Sequence, residues 1–345
     1  MIGVILSAGK STRTYPLTLT RPKPLLTIAG KPIIERNISA LSSSVDSIII
    51  VIGYKGDMII DKIGYEYLGI PIKYVWQEEQ NGTGGALKLV ENFVDNDFIV
   101  IMGDDIYSSD DVKLIVKNYP SVLLHKVEDV SRFGVVEVED GFVKSIVEKP
   151  NGRSRGLANT AMYHFDRRVF DILRSLAVSK RGEYELPQVM LMGGYEGKVR
   201  AIAGTGEWRP IGYPWDYLMA NIEMSKEAGG SYIDEESDVS QEAVIISSVI
   251  MKGARIGRGA SILYSVIGEN VVVGNGVRIS DISADGGTVK SVVKGEVVDT
   301  GLYNLGAIIG DGAVIGEEAM ITAGVKIWPG VIIPPGVVLS DDIIV

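Results

Sequence analysis

Residues 6–26 read LSAGKSTRTYPLTLTRPKPLL. They follow an apolar run, Ile2 to Leu6, that has the composition of a buried strand. Ala8, Gly9, Lys10, Ser11 and Thr12 then form a turn of mostly small residues, followed by Arg13 and, ten residues on, by Lys23 between Pro22 and Pro24. A backbone of small residues lets N–H groups approach phosphate oxygens closely. Arg13 can fork onto such oxygens, and Lys23 can bring them a second positive charge. The two prolines restrict the backbone around Lys23, so this lysine is expected to be presented stiffly.

Two common phosphate motifs are excluded by spacing. Gly9-Lys10-Ser11 resembles the end of a P-loop, but the earlier glycine that a P-loop needs falls at Val4. A dinucleotide fingerprint needs glycine where Ser11 and Thr14 stand. What remains resembles the signature of the sugar-1-phosphate nucleotidyltransferases, G-x-G-T-R-L-x-P-L-T followed by P-K-P-L. Gly9, Thr12, Arg13, Pro16, Leu17, Thr18, Pro22, Lys23, Pro24 and Leu25 are in register with it. Ser11 replaces the second glycine, and Thr14 replaces the leucine.

Length and composition agree with two domains. The chain has 345 residues, 46% of them hydrophobic, enough to fill two cores. It holds no apolar run long enough to span a membrane, and the apolar start lacks the features of a signal peptide. Cysteine is absent, which removes disulfide and thiol chemistry. A cytoplasmic protein is the expectation. The net charge of −10 argues against nucleic acid as a partner. The charge is uneven: residues 1–230 carry 27 basic and 29 acidic side chains, residues 231–345 carry 7 and 15.

Up to about residue 230 the chain alternates strand-like and helix-like segments. Ser47–Ile52, Ile72–Trp76 and Asp97–Met102 read as strands, and Pro32–Leu41, Met58–Leu68 and Gly84–Phe93 as helices. Phe133–Glu139 and Phe142–Glu148 read as a hairpin through Asp140-Gly141, and Pro214–Ala228 as a last helix before a Gly229-Gly230-Ser231 linker. The alternation predicts an α/β domain over 1–230 with a Rossmann-like, mixed but mostly parallel sheet.

From about Val239 the pattern changes. Ile256-Gly257, Ile267-Gly268, Val273-Gly274, Ile309-Gly310 and Ile315-Gly316 recur at about six-residue steps or multiples, and Ile321, Ile327 and Ile333 continue the same phase. This is the hexapeptide signature of a left-handed parallel β-helix, predicted over 231–345 with about four coils. An insert near 284–304 interrupts it and is expected to project as a loop or hairpin.

The resemblance assigns roles to further residues. In the segment from Gln77 to Leu87, Gln77, Gln80, Gly82 and Thr83 are expected to line the base pocket, and a glutamine amide suits uracil or thymine. UTP and dTTP are therefore favoured, both remaining open. Gly103 and Asp104 end a strand where open α/β sheets bind ligands, and Asp104 is expected to hold Mg²⁺. Gly134, Glu148, Lys149, Asn159 and Thr160 match the sugar-phosphate side of the family, with Ala161 where the family has glycine. Arg13, Lys23 and Asp104 are the implied catalytic residues.

Two departures matter for chemistry. The family's W-x-D-x-G-x-P carries a second metal-binding aspartate, and Pro210 stands in its place, leaving Asp105, Glu207 or Asp216 as substitutes. The segment Ile262–Asp311 resembles archaeal bifunctional nucleotidyltransferase/acetyltransferases, whose acetyl transfer uses a histidine where this chain has Ala284. The two histidines, His125 and His164, lie in the first domain and are expected to be structural. The resemblance implies nucleotidyl transfer from an NTP to a sugar 1-phosphate. A regulatory or NDP-sugar-binding relative is the alternative, and an acetyltransferase a more distant one. The β-helix implies a homo-oligomer, a trimer or a multiple of it.

Overall fold

The computed structural model describes residues 1–148, 154–179, 182–226 and 230–344. They divide into two compact units, Met1–Gly9 with Ile33–Pro210, and Lys10–Pro32 with Ile211–Val345.

The first unit is built on a ten-stranded sheet. Ile2–Ser7 lies at its centre, parallel to Ser47–Ile52 on one side and Phe98–Met102 on the other, and Ser47–Ile52 is in turn parallel to Ile70–Trp76. Gly156–Phe165 runs antiparallel to both Phe98–Met102 and Ser121–Val127. The central strands are apolar throughout because both faces are covered, as parallel strands require. Val4 and Leu6 face one core, with Leu87, Val90, Phe170 and Leu173. Ile5 and Ile50 are buried as well, as are Ile34, Ile38 and Leu41 of the helix Ile33–Leu41. The hairpin Gly134–Glu139 and Phe142–Glu148 turns through Asp140 and Gly141, both at positive φ. The expected helix Met58–Leu68 forms as Gly56–Ile63, ended by Gly64. The expected Gly84–Phe93 forms as Thr83–Lys88 followed by a 3₁₀ turn, Glu91–Phe93.

The second unit contains a left-handed parallel β-helix of three five-stranded parallel sheets. Tyr232, Val249, Val266, Ile308 and Lys326 stack one above another along the first sheet. The phase-setting aliphatics Ile256, Ile267, Val273, Ile309, Ile315, Ile321, Ile327 and Ile333 are all buried in the coil. The glycines after them sit where the coils touch: a Cβ on Gly274 would lie 2.6 Å from the Glu317 nitrogen. There are five coils, not four. The first, Tyr232–Ile246, lacks the Ile-Gly pairs on which counting depends. The insert is an antiparallel hairpin, Lys290–Val293 with Glu296–Asp299.

Compactness cuts the chain elsewhere than at 230/231. The helix Pro214–Met224 and the signature segment belong with the β-helix. Buried Asn221 explains part of this, because its side chain accepts from Ala29 N at 2.8 Å and donates to Thr27 O at 3.5 Å. Of the expected helix Pro214–Ala228 and the Gly229–Ser231 linker, Glu227, Ala228 and Gly229 lie outside the described residues.

Candidate active site

In the second unit the signature segment is a tightly braced loop. Ser11 takes a left-handed conformation, φ 50°, at the position where the family has glycine. Its carbonyl accepts from Thr14 Oγ1 at 2.6 Å, Thr18 Oγ1 at 3.0 Å and Thr14 N at 3.0 Å. The two departures from the signature are thus linked: the Thr14 hydroxyl, in place of leucine, braces the strained Ser11. The strain of a non-glycine residue there costs about 1 kcal/mol, which one or two such bonds offset.

Lys23 opens a 3₁₀ turn, Lys23–Leu25, directly after Pro22, and is 4% exposed. The expected stiffness has this turn as its basis. Thr20 donates to Asp311 Oδ2 at 2.5 Å. Arg21, with a side chain 12% exposed, pairs with both Glu269 and Asp311 of the β-helix. Burial disfavours its charge, but the hydrogen bonds and charges of Glu269 and Asp311 outweigh that and hold the guanidinium firmly protonated. Two acids of the acidic C-terminal third therefore grip the residues just before Lys23. This clasp is not visible in the sequence, since its partners are 248 and 290 positions apart. Arg13 is exposed, with its guanidinium carbon 5.5 Å from the centre of the Tyr213 ring.

In the first unit the remaining candidates gather at the carboxyl ends of the central strands. Gly103 donates to Leu6 O at 2.8 Å, and a Cβ on it would come within 1.9 Å of Ser7 Oγ. Glycine thus lets the two strand ends close up and sets Asp104 at the sheet's rim. Ser7 Oγ is buried there without a hydrogen bond. Gln80 Nε2 donates to Ala8 O at 3.0 Å, tying the Gln77–Leu87 loop to the turn after the first strand. Gln77 is 7% exposed, and its Nε2 donates to Asn81 Oδ1 at 3.0 Å and Gly82 O at 3.3 Å. Both N–H groups are engaged by the loop, which leaves Oε1 as the group available to a ligand. Gln77, Trp76, Asn81 and Leu89 border a cavity of about 280 Å³.

A second cavity, about 180 Å³, is lined by Thr83, Met102, Glu148, Ala161, Tyr163 and Glu185 among others. It brings Thr83 of the nucleotide set together with Glu148 of the sugar set. Gly134 stands opposite Glu148 in the hairpin ladder. Asn159 serves the local backbone. Its Nδ2 donates to Tyr163 Oη at 2.8 Å, and its Oδ1 accepts from Ala161 N at 2.9 Å. These bonds hold an irregularity in the strand, where the pairing shifts between Asn159 and Tyr163 and Ala161 takes φ 58°. The family's glycine at this position has an evident backbone reason. Thr160 Oγ1 donates to Leu123 O at 2.9 Å. Lys149 lies outside the described residues.

Pro210 lies opposite Asp105 in a two-stranded ladder formed by Asp105–Tyr107 and Trp208–Pro210. The candidate substitute carboxylates all have other partners. Asp105 Oδ2 accepts from the Trp208 indole at 3.3 Å, and Glu207 pairs with Arg209. Asp216 Oδ2 accepts from the backbone N–H groups of Gly212 and Tyr213, both at 2.8 Å, capping the helix Pro214–Met224. Among the described residues no three His, Asp or Glu side chains cluster as a metal site. A single carboxylate, Asp104, still fits Mg²⁺, which keeps several waters and is commonly held by one or two carboxylates together with substrate phosphates. The histidines are structural: His164 contacts Asp97 at 2.8 Å and backbone carbonyls, and His125 contacts Gly206 O at 2.9 Å.

Residues 2–227 match the sequence model of the nucleotidyl transferase family, and the chain belongs to that family. It is 33% identical to the bifunctional protein GlmU of Methanococcus maripaludis, over 90% of this chain and 88% of that protein. It is 32% identical to the UTP–glucose-1-phosphate uridylyltransferase AglF of Haloferax volcanii, over 66% of this chain and 98% of that one. Among solved structures, a protein from Bacillus anthracis provisionally assigned as a glucose-1-phosphate thymidylyltransferase superimposes with a TM-score of 0.58 at 28% identity, covering 64% of this chain and 94% of that one.

Proposed function

We propose that the protein transfers a nucleotidyl group from UTP or dTTP to a sugar 1-phosphate, giving an NDP-sugar and pyrophosphate. The observation that carries this reading is the braced signature loop, with exposed Arg13 and buried Lys23 in a fixed turn. The names of the similar proteins support the substrate class.

A sugar-phosphate oxygen attacks the α-phosphorus in line, and the bond to the pyrophosphate breaks. No covalent enzyme intermediate is needed, so positioning and charge neutralisation carry the catalysis. Arg13 grips the leaving phosphates, and Lys23 and Lys149 align the two reacting phosphates. Asp104 holds Mg²⁺, which offsets charge between the phosphates when bound. The turn from Ala8 to Thr12 offers backbone N–H groups to the phosphates, and Glu148 accepts from sugar hydroxyls. Gln77 Oε1 accepts from the imide N–H of uracil or thymine, a ring N–H that adenine and cytosine lack and that guanine shares. The exposed Val244, Ile246, Met320 and Val338 on one outer sheet of the β-helix support assembly into a trimer or a multiple of it.

Asp104→Asn tests this reading. Mg²⁺-dependent pyrophosphate release is expected to fall by roughly two orders of magnitude. An unchanged rate would remove Asp104 from the mechanism. A second reading, a nucleotide-binding relative of low turnover, is favoured by Pro210 and by the engagement of Asp105, Glu207 and Asp216. Acetyl transfer is the more distant alternative, and Ala284, where the resembling bifunctional proteins have a histidine base, argues against it.

A further inference from the structure

The second unit holds a cavity of about 200 Å³ that the signature loop and the β-helix wall together. Thr12 and Arg13 line it from the loop, Lys294 from the tip of the inserted hairpin, and Lys326, Trp328 and Asp342 from the last coil and the segment after it. The hairpin is firmly rooted. Ser291 Oγ, buried, donates to Gly324 O at 2.9 Å, and Lys326 Nζ donates to Val292 O. Lys294 and Gly295 both take positive φ, 53° and 83°, in a two-residue turn of the kind that suits a twisted hairpin. The lysine is therefore held at a fixed point on the cavity rim.

Among the described residues, the ionisable side chains lining this cavity include the cations Arg13, Lys294 and Lys326 and the anion Asp342. Lys326, with a side chain 4% exposed, lies 3.4 Å from Asp342, and those two charges cancel. Arg13 and Lys294 make no hydrogen bond or ion pair among the described residues. Arg13 and Lys294, both exposed, thus border one cavity with no anionic partner among the described residues, and Trp328 and Ile344 line it as apolar wall. Two cationic side chains bordering one cavity can each offer a charge-assisted contact to the same polyanion.

We propose that this cavity binds a di- or polyphosphate, held between Arg13 of the signature loop and Lys294 of the β-helix hairpin. The inference deepens the proposed function and rests on it for the role of Arg13. It gives the β-helix a direct part in handling phosphate.

The test is binding of inorganic pyrophosphate, by calorimetry, to the full-length protein and to its Lys294→Gln and Lys294→Arg variants. Loss of one charge-assisted contact is expected to weaken pyrophosphate about tenfold in Lys294→Gln, with most affinity kept in Lys294→Arg. The melting temperature without ligand should not change, because Lys294 is exposed. Equal affinity in wild type and Lys294→Gln would overturn the proposal, whether or not the protein turns over. If affinity falls, kinetics name the source of the phosphate. A raised KM for the nucleotide in Lys294→Gln assigns the cavity to the substrate's polyphosphate. An unchanged KM with loss of a non-competitive part of pyrophosphate inhibition assigns it to a separate effector. A wild type that binds pyrophosphate through Lys294 but shows no turnover would count against the proposed function alone.

Discussion

Ser11 and Ala161 stand where related sequences have glycine, and both keep the left-handed backbone that glycine favours. Ser11 is braced by Thr14 and Thr18, so the Ser11–Thr14 pair should behave as a unit. A double-mutant cycle of Ser11→Gly and Thr14→Leu is expected to show a coupling of about 0.5–1 kcal/mol by chemical denaturation. Additive effects would mean that the hydroxyl does not brace the loop. Ala161→Gly should relieve strain and leave stability unchanged or raised by up to about 1 kcal/mol, and it enlarges the cavity beside Glu148. Asp166 gives a pH signature. Burial pushes its carboxyl up, but hydrogen bonds from Tyr119, Tyr195 and Arg168 outweigh this and hold it below the usual aspartate value. A depressed carboxylate stabilises the fold above the ordinary value, near ~3.9, and that stability is lost as pH falls through the folded value. The melting-temperature gap between wild type and Asp166→Asn should therefore be full at pH 7 and close on acidification toward pH ~2. A gap that does not depend on pH would contradict the linkage. At this scale the sequence named the departures, but it could not show that Ser11 and Ala161 lie at positive φ or that Thr14 compensates.

The elements themselves were largely legible, because each is set by local chemistry. Ile2–Ser7 and Ser47–Ile52 are strands with long apolar runs, and the coil aliphatics recur at steps of about six residues. Where the phase markers are missing, in the first coil, the count fell short by one. Pairing between distant elements was not legible. The Arg21 clasp on Glu269 and Asp311 joins two segments whose own patterns give no hint of each other. Removing one partner of a buried ion pair typically costs about 3–5 kcal/mol. Because the cluster is only part-buried and Arg21 keeps Glu269, Asp311→Ala is expected to lower unfolding stability by about 1–3 kcal/mol and to raise protease sensitivity within residues 10–32. A loss below about 0.5 kcal/mol would show that the clasp is a solvated contact. Asn159 illustrates the same limit: the expected sugar contact is a residue whose amide also holds a strand irregularity, which no spacing rule reveals.

Across the whole molecule, the signature loop belongs by its contacts to the same compact unit as the β-helix, although a sequence boundary at 230/231 separates them. The β-helix is thus more than a spacer for assembly: it fixes the segment that carries Arg13 and Lys23. Its exposed apolar residues, including Val338 at 65% and Ile332 at 73%, predict self-association. Light scattering at micromolar concentration should report a trimer or a multiple of three, and a monomer would contradict that reading. The most direct test of the central claim is pyrophosphate release with Mg²⁺, measured across UTP, dTTP, GTP, ATP and CTP, each paired with glucose 1-phosphate, N-acetylglucosamine 1-phosphate and mannose 1-phosphate. Turnover confined to UTP or dTTP with at least one sugar phosphate is the expected result. No turnover in any pair, with a nucleotide still raising the melting temperature, would contradict the claim and make the protein a nucleotide-binding relative in which Pro210 has removed the chemistry.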